Sequence, residues 1–157
     1  MLSTDTHSSS HIPERRNRSR DLIKAMVGAR KDTLSLYSRL GELQPTGSNT
    51  AAVFDLLQRF CQALIDYTAR AHFQLYRHIE EKTERRTEVL DIAEAIYPRI
   101  AELTQAIVDF NDKYDCEAHS DNLRDLPADL SKLGLALADR IELEDQLIKV
   151  LCRDCIV

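Results

Sequence analysis

An all-α fold, an antiparallel four-helix bundle behind a disordered N-terminal tail, follows from three observations. The 157 residues include only four Gly and four Pro, with many Leu, Ala, Glu and Arg, a composition rich in helix formers and poor in breakers. Apolar residues recur at 3.6-residue spacing in four segments, and no alternation of period two is sustained. Loop-forming residues separate the segments, as in Gln44, Pro45, Thr46, Gly47, Ser48 and Asn49. Amphipathic helices with short connections bury their stripes against one another. A chain of this length can do so around one core without help from a disulfide or a metal.

Residues 1–19, with Ser8, Ser9, Ser10 and the arginines Arg15, Arg16 and Arg18, show no periodicity and are expected to form a disordered tail. Residues 20–157 are expected to form a single bundle domain. The first helix should cover about 20–41, with Leu22, Ile23, Met26, Thr33, Tyr37 and Leu40 inward and Gly41 near its C-terminal cap. Asn49 or Thr50 can cap the second helix, whose inward stripe runs through Leu57, Cys61, Leu64, Thr68, Leu75 and Ile79. The charged run from Glu80 to Arg86 turns the chain. Thr87 opens a third helix with Val89, Ala93, Ile96, Ile100, Leu103, Ile107 and Tyr114 inward. Pro98 should bend or locally break it. A polar connection over 115–126, with a short helical piece, leads to Pro127 in the first turn of the last helix. That helix turns Leu130, Leu133, Leu137, Ile141, Ile148 and Leu151 inward.

Several function classes find no support. A formal net charge of −5 argues against a dedicated DNA binder and favours a basic partner. No apolar run approaches the ~18 residues of a membrane span, and the N-terminal residues lack the apolar stretch of a signal peptide. A cytoplasmic protein with reduced cysteines is therefore expected. Cys152 and Cys155 form a C-x-x-C, but no second pair and no βαβ pattern accompany it, so neither zinc nor a thioredoxin-like site is supported. A di-iron bundle needs two Glu-x-x-His pairs and two more glutamates. Here His78 and Glu81 share a face without a counterpart, His7 and His11 lie in the tail, and His119 lies in a loop. No Gly-rich phosphate loop and no nucleophile elbow occur. The chain reads as a non-enzyme without metal or cofactor.

Two sets of residues sit where a simple bundle would not put them. His72 falls inside the apolar stripe of the second helix. Arg30 lies within about 40° of the first helix's stripe centre and Glu144 within about 20° of the last helix's, with Arg140 and Asp145 at its edges. Arg30, His72 and Glu144 are thus expected to meet across the bundle axis, since long charged residues rarely bury unpaired. Such a layer either fixes helix register or lines a small-ligand or proton-handling pocket. On the opposite face of the second helix, Phe73 lies within about 20° of Asp66. Arg70 and Arg77 flank it, and the small residues Ala63 and Ala69 would let a partner helix approach closely. An aromatic anchor beside a carboxylate suits a basic protein surface.

The segments Phe60-Cys61-Gln62-Ala63-Leu64-Ile65-Asp66-Tyr67, Ala71-His72-Phe73 and Tyr76 resemble the signature helix of the Rsd/AlgQ family of bacterial anti-sigma factors. The resemblance continues through Ile96-Tyr97-Pro98-Arg99 with Thr104, and through Arg140 and Leu143-Glu144-Asp145-Gln146-Leu147-Ile148. Arg30, Lys31 and Tyr37 fit the family's first helix, so about residues 20–152 are covered. It implies a helical bundle that binds the C-terminal, −35-reading domain of the primary sigma factor as a one-to-one complex. No contact with DNA or a membrane is expected, and the implied mechanism is occlusion of the sigma surface. One departure stands out. Where the family usually carries Asp-Arg-Trp-Leu, this chain has Lys24, Ala25, Met26 and Val27, and it has no Trp at all. Two alternatives belong to other classes: a regulatory bundle with a partner other than sigma, and a ligand-sensing bundle that uses the His72 layer.

Overall fold

Each of the four apolar stripes forms a helix. The computed structural model describes residues 11–43, 48–76, 86–114 and 123–152, with side chains from Arg18 onward, Ser19 excepted. Helix α1 covers His11–Glu42, α2 Thr50–Ala71, α3 Thr87–Tyr114 and α4 Leu126–Leu151. A π-helical turn, His72–Tyr76, prolongs α2. Asn49 occupies the N-cap position of α2, and Pro127 sits in the first turn of α4. The expected loop 44–47, the turn 80–85, the connection 115–122, and His78, Ile79 and His119 lie outside the described residues.

The antiparallel arrangement is visible in which ends share a core. One apolar cluster joins Leu40 near the end of α1, Val53 to Leu64 at the start of α2, Ile107 to Tyr114 at the end of α3, and Leu126 to Leu137 at the start of α4. The other joins the opposite ends: Ile23 to Val27, Ala71 to Tyr76, Val89 to Ile100, and Leu147 with Ile148. Helices α1 and α3 therefore run one way, and α2 and α4 the other. Helix α1 packs mainly on α2, and α3 on α4, so the bundle is two helical hairpins closed on each other. In the first cluster Phe60 packs edge-on to Phe110 with centroids 5.9 Å apart and tilts against Tyr37 at 6.0 Å. Phe110 is buried although it lay outside the expected stripe.

Four expectations are corrected. Helix α1 starts at His11, not near 20: glutamate and arginines propagate a helix well, Pro13 is tolerated in a first turn, and no apolar partner is needed to prolong a packed helix outward. Leu22 is 41 % exposed. The inward face of α1 is set by Ile23, Met26, Val27 and Arg30, and Leu22 points about 100° away from its neighbour Ile23. Helix α3 continues through Pro98 and does not break there. Pro98 and Glu94 are exposed, so water can serve the carbonyl that loses its helical N–H. Finally, Cys61 is a buried cysteine outside any disulfide, but Cys152 is disulfide-bonded. Cys152 caps the end of α4, where a side chain can reach out, whereas Cys61 is enclosed in the core.

A glycine fixes one helix contact. Tyr37 donates its hydroxyl to the Leu130 carbonyl at 2.8 Å, and a Cβ at Gly134 would meet that hydroxyl oxygen at 2.1 Å and the ring carbon bearing it at 2.9 Å. Inside a helix, Gly→Ala ordinarily stabilises by about 1 kcal/mol. Gly134→Ala should instead destabilise by about 1–2 kcal/mol, because the phenol must leave its hydrogen bond to make room. In a Tyr37→Val background the same change should become stabilising. Urea unfolding of the four proteins measures this reversal, and additive effects would show that the two residues do not meet.

Candidate functional site

Between the two apolar clusters lies a charged layer to which all four helices contribute. Its centre is Glu144 on α4, a fully buried carboxylate. Its Oε2 accepts a hydrogen bond from Arg140 Nη1 at 2.9 Å, one helical turn away. Its Oε1 accepts from Arg30 Nη1 of α1 at 3.2 Å and from the Tyr67 hydroxyl of α2 at 2.5 Å. Arg30 Nη1 also donates to Asp145 Oδ1 at 2.7 Å. Arg140, 1 % exposed, donates through Nη1 to the Tyr67 oxygen at 3.0 Å and through Nε to Thr104 Oγ1 of α3 at 3.4 Å. Its guanidinium also lies 5.4 Å from the Tyr67 ring centre, close enough for a cation–π contribution.

The protonation states follow from this geometry. Burial alone would lower both arginines, but the carboxylates beside them outweigh it, and both guanidiniums are held above their ordinary value. Burial first, and then Glu144, push the Tyr67 phenol well up, with Arg140 and Arg30 only partly offsetting them. Tyr67 therefore remains a donor and the guanidiniums remain cations across the physiological range. The layer is a structural pairing in which both oxygens of Glu144 are met by charged or hydroxyl donors.

Arg30 and Glu144 meet as the helical phase implies. His72 does not take the third place, which belongs to Tyr67 and Arg140. His72 is half-buried, lines a cleft between α2 and α3, and meets the Phe73 ring edge to face at 5.4 Å. The physical reason is the breadth of the buried face: α2 buries Leu57, Phe60, Leu64, Tyr67 and Ala71, so at about 100° per residue His72 lies at the edge of that face, beside the half-buried Thr68. Tyr67 and Arg140 were legible in principle. Tyr67 follows Leu57, Phe60 and Leu64 on one face, and Arg140 precedes Glu144 by four residues, the spacing of a helical ion pair.

The outward face of α2 carries the other expected residues. Phe73 is 54 % exposed. Asp66 is exposed and accepts a hydrogen bond from Gln62 Nε2 at 3.1 Å. Arg70 and Ala69 are exposed and Ala63 is half-buried, while Arg77 lies outside the described residues. Asp66 and Ala63 border a shallow groove between α1 and α2, which Leu36, Asp55 and Arg59 also line. Another apolar side chain, Leu135 on α4, is 71 % exposed and was not singled out by any sequence pattern. Among the described residues no cluster of His, Cys, Asp and Glu could hold a metal ion, and no helix is long and apolar enough to cross a membrane.

Residues 6–152 match the family described as regulator of RNA polymerase sigma(70) subunit, Rsd/AlgQ. The chain belongs to the Rsd/AlgQ family. Curated relatives named "Regulator of sigma D" share 32 % of residues with it. The one from Yersinia enterocolitica aligns over 141 residues, 88 % of this chain and 84 % of the relative. Those from Shigella dysenteriae and Salmonella paratyphi B align over 140 residues, again 88 % of this chain, and over 88 % and 86 % of the relatives. No solved structure matches the chain significantly.

Proposed function

We propose that this protein is a cytoplasmic anti-sigma factor that binds the C-terminal, −35-reading domain of the primary sigma factor and withholds it from RNA polymerase. The observation that carries this reading is the outward pair of Phe73 and Asp66 on α2, in a chain of the Rsd/AlgQ family. Phe73 offers apolar area that the bundle does not use itself, and Asp66 offers a carboxylate one face-length away. A helix-turn-helix module that reads DNA is basic, and a chain of formal charge −5 complements it. Binding across that module covers the surface needed for promoter DNA, so occlusion suffices and no catalytic step is involved.

The departure in the first helix is compatible with this reading. Of the four altered positions, Met26 and Val27 are buried in the core, and only Lys24 and Ala25 face solvent. Met26 stands where the family usually has Trp. It is fully buried, so that replacement changes how the core is filled, not what a partner touches.

Titration calorimetry of the full chain with the isolated C-terminal domain of its own sigma factor tests the proposal. A one-to-one complex is expected, weaker at higher salt because part of the attraction is between exposed charges. Undetectable binding at tens of micromolar would overturn the sigma reading in favour of a regulatory bundle with another protein partner.

A further inference from the structure

We infer that the cleft between the end of α2 and the middle of α3 is a binding site for a small carboxylate with a short apolar tail. The site does not depend on the sigma assignment. The cleft holds about 210 Å³ and is floored by Arg140 and Tyr76. This is below the ~300–1,000 Å³ of pockets for drug-sized ligands, so it fits only a small molecule.

The donor inventory selects the ligand's polar group. Tyr76 is 3 % exposed, and its hydroxyl is buried without any hydrogen-bond partner. Buried hydroxyls are rarely left unmet. Tyr76 and Arg140 both line the cleft and are almost wholly buried, so they form its inner end. Burial raises the Tyr76 pKa first, Glu144 further, so the hydroxyl stays protonated and can donate. Arg140 uses Nε and Nη1 on Thr104, Tyr67 and Glu144, and among the described residues Nη2 makes no hydrogen bond. The Arg140 guanidinium lies 6.0 Å from the Tyr76 ring centre, so the two residues are neighbours in the cleft.

The cleft's threonines do not compete. Thr104 donates its hydroxyl to the Ile100 carbonyl at 2.7 Å, and Thr68 donates to the Leu64 carbonyl at 2.7 Å. His72, Tyr97 and Gln105 also line the cleft, at less buried positions, so at its buried end the unmet groups are donors, and a planar two-oxygen group matches a tyrosine hydroxyl beside a guanidinium edge. The layer is charge-balanced, Arg30 and Arg140 against Glu144 and Asp145, so an anion at the Arg140 edge meets no excess negative charge. Ile100, Ala101 and Val108 supply an apolar wall toward the mouth, which suits a tail of a few carbons and disfavours inorganic anions.

Methyl-resolved NMR of the full chain tests this, with acetate, propionate and butyrate titrated against chloride at matched ionic strength and propionamide as the neutral isostere. Molecules this small bind weakly, so the titration extends into the millimolar range. Saturable shifts at the Ile100 and Val108 methyls are expected with the carboxylates only. Tyr76→Phe should fold normally, since it removes an unmet polar atom, and should weaken binding by about fivefold to tenfold. Ala101→Phe, which fills the cleft from its exposed rim, should abolish the shifts while leaving circular dichroism unchanged. Linear shifts shared with chloride, equal shifts with propionamide, no shifts at all, or full binding by both variants would each overturn the site and leave the cleft to water.

Discussion

Glu144→Leu is expected to lower folding stability by about 3–5 kcal/mol, the largest loss from any single polar residue in the bundle. The reason is asymmetric stranding. Arg30 would keep Asp145 at 2.7 Å and stay paired. Arg140, almost wholly enclosed, would keep only Tyr67 and the long contact to Thr104, leaving its charge uncompensated inside the bundle. The compensating second mutation is therefore Arg140→Met. Arg140→Met with Glu144→Leu should recover most of the loss, and adding Tyr67→Phe should recover more by removing a hydroxyl left without its acceptor. Arg30→Met with Glu144→Leu should recover little. Urea unfolding followed by far-UV circular dichroism separates these cases. Equal, small losses throughout would mean that water reaches Glu144 and that the layer is not a dry one.

That contrast shows what the sequence could and could not convey. Periodicity located the four helices and nearly all of the stripe that α3 buries, but it missed Val53, Leu56, Phe60, Tyr67 and Ala71 on α2, where the buried face is wider than one stripe. It also placed Arg30 and Glu144 inward from the same arithmetic. It could not say which cation Glu144 depends on, because that is decided by helix packing and by side-chain reach, not by spacing along one helix. His72 was misplaced for a different reason. The stripe drawn through Leu57, Cys61, Leu64 and Thr68 was centred too far toward Thr68, whereas the buried face also takes in Phe60, Tyr67 and Ala71, which leaves His72 at its edge. The start of α1 was missed because helices can extend without an apolar stripe, on propensity alone. The cleft was invisible to sequence reasoning for a related cause: Thr68, Tyr76, Thr104 and Arg140 come from three elements and share no motif.

Phe73→Ala is expected to weaken binding to the sigma C-terminal domain by about 1–3 kcal/mol, as is Asp66→Ala, if the α2 face is the docking surface proposed above. The size follows from position. Phe73 is the large aromatic that α2 leaves half in solvent, and His72 packs edge-on against its ring, which limits the rotamers it must give up on binding. Asp66 is held by Gln62 and needs only to exchange that contact for a basic side chain. The two variants should differ in their salt response. Removing Asp66 should flatten the dependence of affinity on ionic strength, because one attractive charge is gone, whereas removing Phe73 should leave the slope intact and lower affinity uniformly. Both variants should retain their circular dichroism and melting temperature, since neither side chain contributes much to the core. Calorimetry at two salt concentrations reads all of this. Loss of the salt slope in Phe73→Ala would indicate a rearranged α2 rather than a lost contact. Full affinity in both variants would move the interface to another face, with the exposed Leu135 on α4 as the next position to truncate.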